Sequence, residues 1–186
     1  MGQFMAMGIA YRIRTSLDDL HSKKISNEEL QQEMERTLLF DMKLYDETKT
    51  DKSLVFTLKN QVLESDLIPF LESLYPIIYK EQKDAECHDL LQQLRSTPPA
   101  EWLDLAEEKD YEAFQYDEYA ESRYIEFSKP FCPDIRLDFK YVMLHCGYGK
   151  IITEGLYDFT DFFKHCINET FKEHPIAKSM QVYITG

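Results

Sequence analysis

At 186 residues, 44% hydrophobic and 30% charged, the chain has the length and balance of one globular domain with a real core, not of a disordered segment. A net charge of −13 repels phosphate backbones and anionic lipid, so neither nucleic acid nor a membrane surface is an expected partner, whereas a basic protein is. Only 6 glycines leave little material for phosphate-cradling loops, and 12 Tyr with 12 Phe exceed the needs of a core this size, so some rings are expected at the surface.

The first residues lack a basic stretch followed by an apolar run, and Ala6 stands where a myristoylation start needs Ser or Thr. No apolar run reaches bilayer-spanning length. Cys87, Cys132, Cys146 and Cys166 show no CxxC spacing. A cytoplasmic protein with reduced thiols is expected.

Met7, Ile9, Tyr11 and Ile13 alternate with Ala10, Arg12 and Arg14, which predicts a half-buried strand with those four on one face. Ser26-Asn27-Glu28-Glu29 is a capping box, and it opens a helix carrying Leu30, Met34 and Leu38. Phe40, Met42 and Leu44 predict a second strand, Asp46–Asp51 a polar turn, and Leu54, Phe56 and Leu58 a third strand closing a hairpin. The next helix is expected to start near Ser65 or Asp66, with Pro69 in its first turn and Pro76 kinking or ending it.

Asp84–Leu94 predicts a short helix, and Thr97-Pro98-Pro99 opens another that carries Trp102, Leu103 and Leu105. Farther on, Ile135, Leu137, Phe139 and Tyr141 predict a strand and Gly147-Tyr148-Gly149 a turn. Ile151-Ile152 begins a return strand. Phe159, Phe162, Phe163, Cys166, Ile167 and Phe171 predict a helix, and Met180, Val182 and Ile184 a last strand.

Leu39–Lys43 and Arg136–Lys140 look alike, and each precedes a turn, a strand and an amphipathic helix. That order raises a duplicated strand–strand–helix unit. The fold class expected is a single α+β domain, its mixed, mostly antiparallel sheet of about six or seven strands covered by helices mainly on one face. Residues 7–80 form its N-terminal half, 83–121 an acidic helical insert and 122–186 its C-terminal half.

The insert is the most unusual stretch. From Glu101 to Glu121 there are nine acids against the single base Lys109, a balance of −8 out of the total −13. Trp102, Tyr111, Phe114, Tyr116 and Tyr119 are interleaved with them. Carboxylates bordered by exposed rings complement a basic surface, and the contact residues expected are Trp102, Asp104, Glu108, Asp110, Tyr111, Tyr116, Asp117, Glu118 and Tyr119. A solvated helix whose rings face its own core is the bland alternative.

Catalytic signals are weaker. GxSxG, P-loop, GxGxxG and HExxH motifs are absent. His and Cys are neighbours three times, but His145 and Cys146 cannot both reach one metal because neighbours on a strand point to opposite faces, and on the last helix Cys166 lies on the apolar stripe while His165 lies off it. Asp161, His165 and Glu169 share one helix face, and Cys146 with His165 and Asp161 is the weak catalytic alternative. No cofactor or metal is expected.

In composition, though in no motif, the chain is similar to bacterial immunity proteins and other inhibitor-type binders. That likeness implies a non-catalytic module engaging a basic protein partner. A small enzyme using Cys146, His165 and Asp161, or a structural subunit of a larger complex, stands as the alternative.

Overall fold

Two 13-residue strands, β1 (Phe4–Ser16) and β6 (Ile135–Gly147), run antiparallel through the middle of a seven-stranded sheet in the computed structural model. The structure describes residues 4–79, 83–109, 111, 113–117, 122–127, 134–147, 161 and 164–185, with the side chains of 4, 146, 147, 166 and 168 outside that description. The other strands are β2 (Tyr45–Lys49), β3 (Ser53–Leu58), β4 (Gln115–Asp117), β5 (Ser122–Ile125) and β7 (Met180–Thr185). The order is β2-β3-β1-β6-β4, with β7 also on β1 and β5 also on β6. Every described pairing is antiparallel, so the expected α+β class holds.

Both long strands change partners along their length. The outer edge of β1 pairs with β7 at residues 4–9 and with β3 at residues 12–16. At Ala10–Tyr11, between those stretches, no described strand pairs with that edge, and a bulge also interrupts the ladder to β6 there. The Tyr45 hydroxyl donates to the Ala10 carbonyl at 2.8 Å. At the second bulge, beside Leu144, the Tyr79 hydroxyl donates to the Leu144 carbonyl. A buried carbonyl left unmade costs ~1–3 kcal/mol, so each bulge is held by the tyrosine that caps it.

The bulge at Tyr11 corrects the predicted alternation. Ile9 lies opposite Val142, but Ile13 lies opposite Phe139, which is on the other face of β6. The extra residue shifts the side-chain register by one, so Met7 and Ile9 share a face that Ile13 does not. Residues 6–11 of β1 are all buried, so both faces of the sheet are covered there, against the expectation of one wet face.

On the Ile9 face lies the helical layer. A continuous helical stretch comprises α3 (Asn60–Val62), a π turn (Leu63–Leu67) and α4 (Ile68–Ile78). It starts earlier than predicted, and Pro69 follows directly on the widened turn, where the regular hydrogen-bond ladder is already broken. Pro76 does not stop α4, which ends only at Ile78. Leu63 and Leu67 meet Ile9, Tyr11 and Val142, together with Trp102 and Leu103 of α6 (Trp102–Lys109). Asp66 accepts the Ile176 amide at 2.7 Å and bonds the His174 ring at 3.0 Å, which ties the Pro175–Ser179 turn to this layer.

Before β2 come α1 (Leu17–Ser22) and α2 (Asn27–Leu38). The capping box of α2 is formed as predicted, with the Glu29 amide donating to Ser26 Oγ at 3.2 Å and the Ser26 amide to Glu29 Oε2 at 2.9 Å. The predicted strand over Phe40–Leu44 is not formed. Leu39 ends α2 in the left-handed region (φ 59°), and Asp41 caps a 3-10 turn over Met42–Leu44, so the strand begins only at Tyr45. Arg136–Lys140 lies inside β6. The two look-alike segments therefore adopt different conformations, and the duplicated unit fails at its first element. The second unit's return strand and the start of its helix lie outside the described residues.

Candidate functional site

The acidic insert folds as two helices and a pinned loop. α5 (Asp84–Ser96) buries Cys87, Leu90 and Leu94, and the 3-10 turn Pro99–Glu101 leads into α6. Because α6 buries Trp102, Leu105 and Ala106, helical spacing turns Asp104, Glu107 and Glu108 outward, and Glu101 is exposed just before them. Lys109, the segment's single base, brings its ammonium to 3.9 Å from Glu108 Oε1. Asp104 also acts on the Tyr11 hydroxyl: burial raises that group's pKa most, Arg12 opposes, and the Asp104 carboxylate adds to the rise.

Trp102 and Tyr111 do not border this face; they anchor it. Trp102 is 3% exposed and its indole N–H donates to the Thr97 carbonyl at 2.8 Å. Tyr111 is buried and donates to Asp89 Oδ2 at 2.5 Å. Burial, then that bond and the carboxylate charge, push its hydroxyl up to about 12. Ala113 is fixed twice, its amide donating to Glu86 Oε1 and its carbonyl accepting from Tyr75, both at 2.9 Å. Tyr116 is half-buried under the Lys140 ammonium, 4.8 Å from the ring centre.

Asp117 sits buried in β4 opposite Tyr141. The exposed rim predicted for Trp102 and Tyr111, and the outward carboxylate predicted for Asp117, thus give way to buried positions: the indole bonds Thr97 at the end of α5, the Tyr111 hydroxyl bonds Asp89 within it, and the pairing of β4 with β6 carries Asp117 inward. Of the predicted contact residues, Asp104 and Glu108 are exposed on one helix face, while Asp110, Glu118 and Tyr119 lie outside the described residues. Asp84, Glu86 and Asp89 of α5, which the sequence reading passed over, bring further carboxylates to the Cys87 and Tyr111 surroundings. Burial first, then Glu86 and Asp84, push the Cys87 thiol up to about 11, so it stays protonated at neutral pH.

Of the weak catalytic set, Asp161 and His165 do meet. The His165 ring lies 3.2 Å from Asp161 and 3.0 Å from Glu169, with all three side chains about half exposed. Cys146 is on β6 opposite Ala6, and its side chain lies outside the described residues. Glu169's hydrogen bond, then the Asp161 charge, raise the His165 pKa above the ordinary histidine value. A raised folded-state pKa stabilises the fold below the unfolded value, and that contribution is lost as pH rises through the folded one. An NMR titration of His165 is expected to give a midpoint above the ordinary value, and Asp161→Asn with Glu169→Gln to return it; an unmoved midpoint would refute the pairing.

Among the described residues, no three of His, Cys, Asp and Glu converge as metal ligands, and no helix is long and apolar enough to cross a membrane. A cleft of about 370 Å³ lies elsewhere, lined by residues from 37–39, 123, 167–172 and 177–181. Nothing in the sequence marks it, because its residues come from four separated stretches and form no motif. No family model matches the chain, and no curated protein or solved structure matches it.

Proposed function

We propose that this chain is a non-catalytic protein-binding module that engages a basic protein partner through the outward carboxylates of α6, an inhibitor-like role. One observation carries the reading: Glu101, Asp104, Glu107 and Glu108 are exposed together, with Lys109 alone among the segment's residues to offset them. Such a patch steers encounter with positive charge and contributes more to association rate than to contact energy. The buried Trp102 and Tyr111 support it differently, by fixing the helix so that its charges are presented in one geometry. The protein's overall −13 adds to the same field.

The test is to neutralise that face with Glu101→Gln, Asp104→Asn, Glu107→Gln and Glu108→Gln together. The association rate with the partner is expected to fall by about tenfold to a hundredfold at low salt and to lose most of its salt dependence. Thermal stability should change little, since exposed charges contribute within about 0.5 kcal/mol each. A quadruple variant that associates at the parent rate at every salt concentration would remove the proposal.

A further inference from the structure

The cleft of about 370 Å³ has the opposite character to the acidic face. It lies between the end of α2 and β7, and Arg123, Lys172 and Lys178 line it together with Leu38, Ile167 and Met180. No carboxylate lines it among the described residues. Its volume of about 370 Å³ is that of a small-molecule site, and its lining pairs an apolar wall with a few convergent charges.

The guanidinium of Arg123 is built in. It donates to Gln181 Oε1 at 3.1 Å and to the Val182 carbonyl at 2.8 Å, and it lies 5.8 Å from the Phe139 ring centre. All of those partners are neutral, so a half-buried positive charge is oriented without being cancelled. Lys172 makes no ion pair among the described residues, although Glu169 lies within electrostatic reach of it. The Lys178 ammonium is 3.4 Å from Asp41, which offsets part of its charge; the lysine side chain itself stays about half exposed and can turn to a ligand at little cost, since such a surface pair contributes little.

Besides the Asp41 and Glu169 carboxylates, two further effects oppose an anion here, and each is attenuated. The C-terminal end of α2 presents about half an elementary negative charge, but the Leu38 carbonyl is already covered by the Gln181 amide at 3.0 Å. The protein's net negative charge is spread over the surface, and salt screens it beyond about 8 Å at physiological ionic strength. Among the described lining residues the only charged ones are Arg123, Lys172 and Lys178, and the partners described for the Arg123 guanidinium are neutral.

We propose that this cleft binds a small organic phosphate, its phosphate held by Arg123, Lys172 and Lys178 and its body laid against Leu38, Ile167 and Met180. A phosphate, carrying about −1.5 to −2 at neutral pH, suits three cations better than a carboxylate does. The site stands apart from the α6 face and does not depend on it.

Phenyl phosphate serves as the probe, followed by amide shifts in two-dimensional NMR. Saturable shifts at Leu39, Met180 and Gln181 are expected, with phenol and benzoate each at least tenfold weaker. Lys172→Gln, an exposed change that spares the fold, should weaken phenyl phosphate at least fivefold, and Arg123→Gln more. Because Arg123 also bonds β7, Lys172→Gln decides the matter if Arg123→Gln unfolds. Non-saturable shifts, shifts scattered over the surface, or Lys172→Gln without effect would overturn the site. Benzoate binding as tightly as phenyl phosphate would overturn the assignment to phosphate.

Discussion

Trp102→Ala is expected to cost the fold ~3–5 kcal/mol, the range for removing a large buried aromatic. The side chain is 3% exposed and packs with Leu63, Leu67 and Phe114 over Ile9 and Val142. Truncation leaves a cavity the size of an indole, which the surrounding helices and sheet cannot fully close. It also strands the Thr97 carbonyl that the indole N–H now satisfies. For a chain of this length, ~3–5 kcal/mol corresponds to a melting temperature lower by about 6–20 °C. Trp102→Phe should cost much less. Urea unfolding with an unchanged slope measures both. A Trp102→Ala variant as stable as the parent would mean that the ring is a surface group after all.

Gly8→Ala should be the next most damaging small change, at ~1–3 kcal/mol, the usual cost of overfilling a packed core. Ala6, Gly8 and Ala10 occupy one face of β1, and the rings of Tyr141 and Tyr183 stack above it with centroids 3.9 Å apart and planes 7° from parallel. Those tyrosines come from strands on opposite sides of β1, so each must lean over it, and only small residues leave room. A methyl group on Gly8 would meet the Val142 carbonyl at 2.6 Å and the Tyr183 ring at 3.1 Å.

Replacing glycine also gains ~0.4–1 kcal/mol by restricting the unfolded chain. The backbone contact at 2.6 Å cannot be relieved by rotating a side chain, so the clash outweighs that gain. The melting temperature should fall by about 2–12 °C, the product of that cost and the usual ~2–4 °C per kcal/mol. An unchanged or higher value would show that the strands separate freely.

Much of this fold is legible in the sequence because the local signals and the tertiary structure agree. The Ser26 capping box, the helix through Leu90 and Leu94 and the last strand form where the spacing places them. Other elements were hidden for physical reasons. A period-two pattern over Phe40, Met42 and Leu44 fits a 3-10 turn as well as a strand, and the cap from Asp41 decides between them. The bulges at Tyr11 and Leu144 leave no mark in the apolar pattern, since both faces of the sheet are covered and nearly every position is apolar. Their stabilisers, Tyr45 and Tyr79, are distant in sequence.

The candidate site divides in the same way. Asp104 and Glu108, named from the acidic run alone, are exposed, but residue type could not show that Trp102, Tyr111 and Asp117 turn inward. Aromatic residues suit an interface and a core equally well, and only the layer beneath them decides. The cleft around Arg123 depends wholly on topology, because that arginine reaches from β5 to β7 across two intervening strands.

The most direct measurement is amide-shift mapping on the isotope-labelled protein, titrated with the basic protein captured from native lysate at low salt. Shifts and line broadening centred on residues 101–108, fading as salt is raised, are what the charged α6 face requires. A footprint centred elsewhere, with residues 101–108 undisturbed and no response to salt, would contradict it.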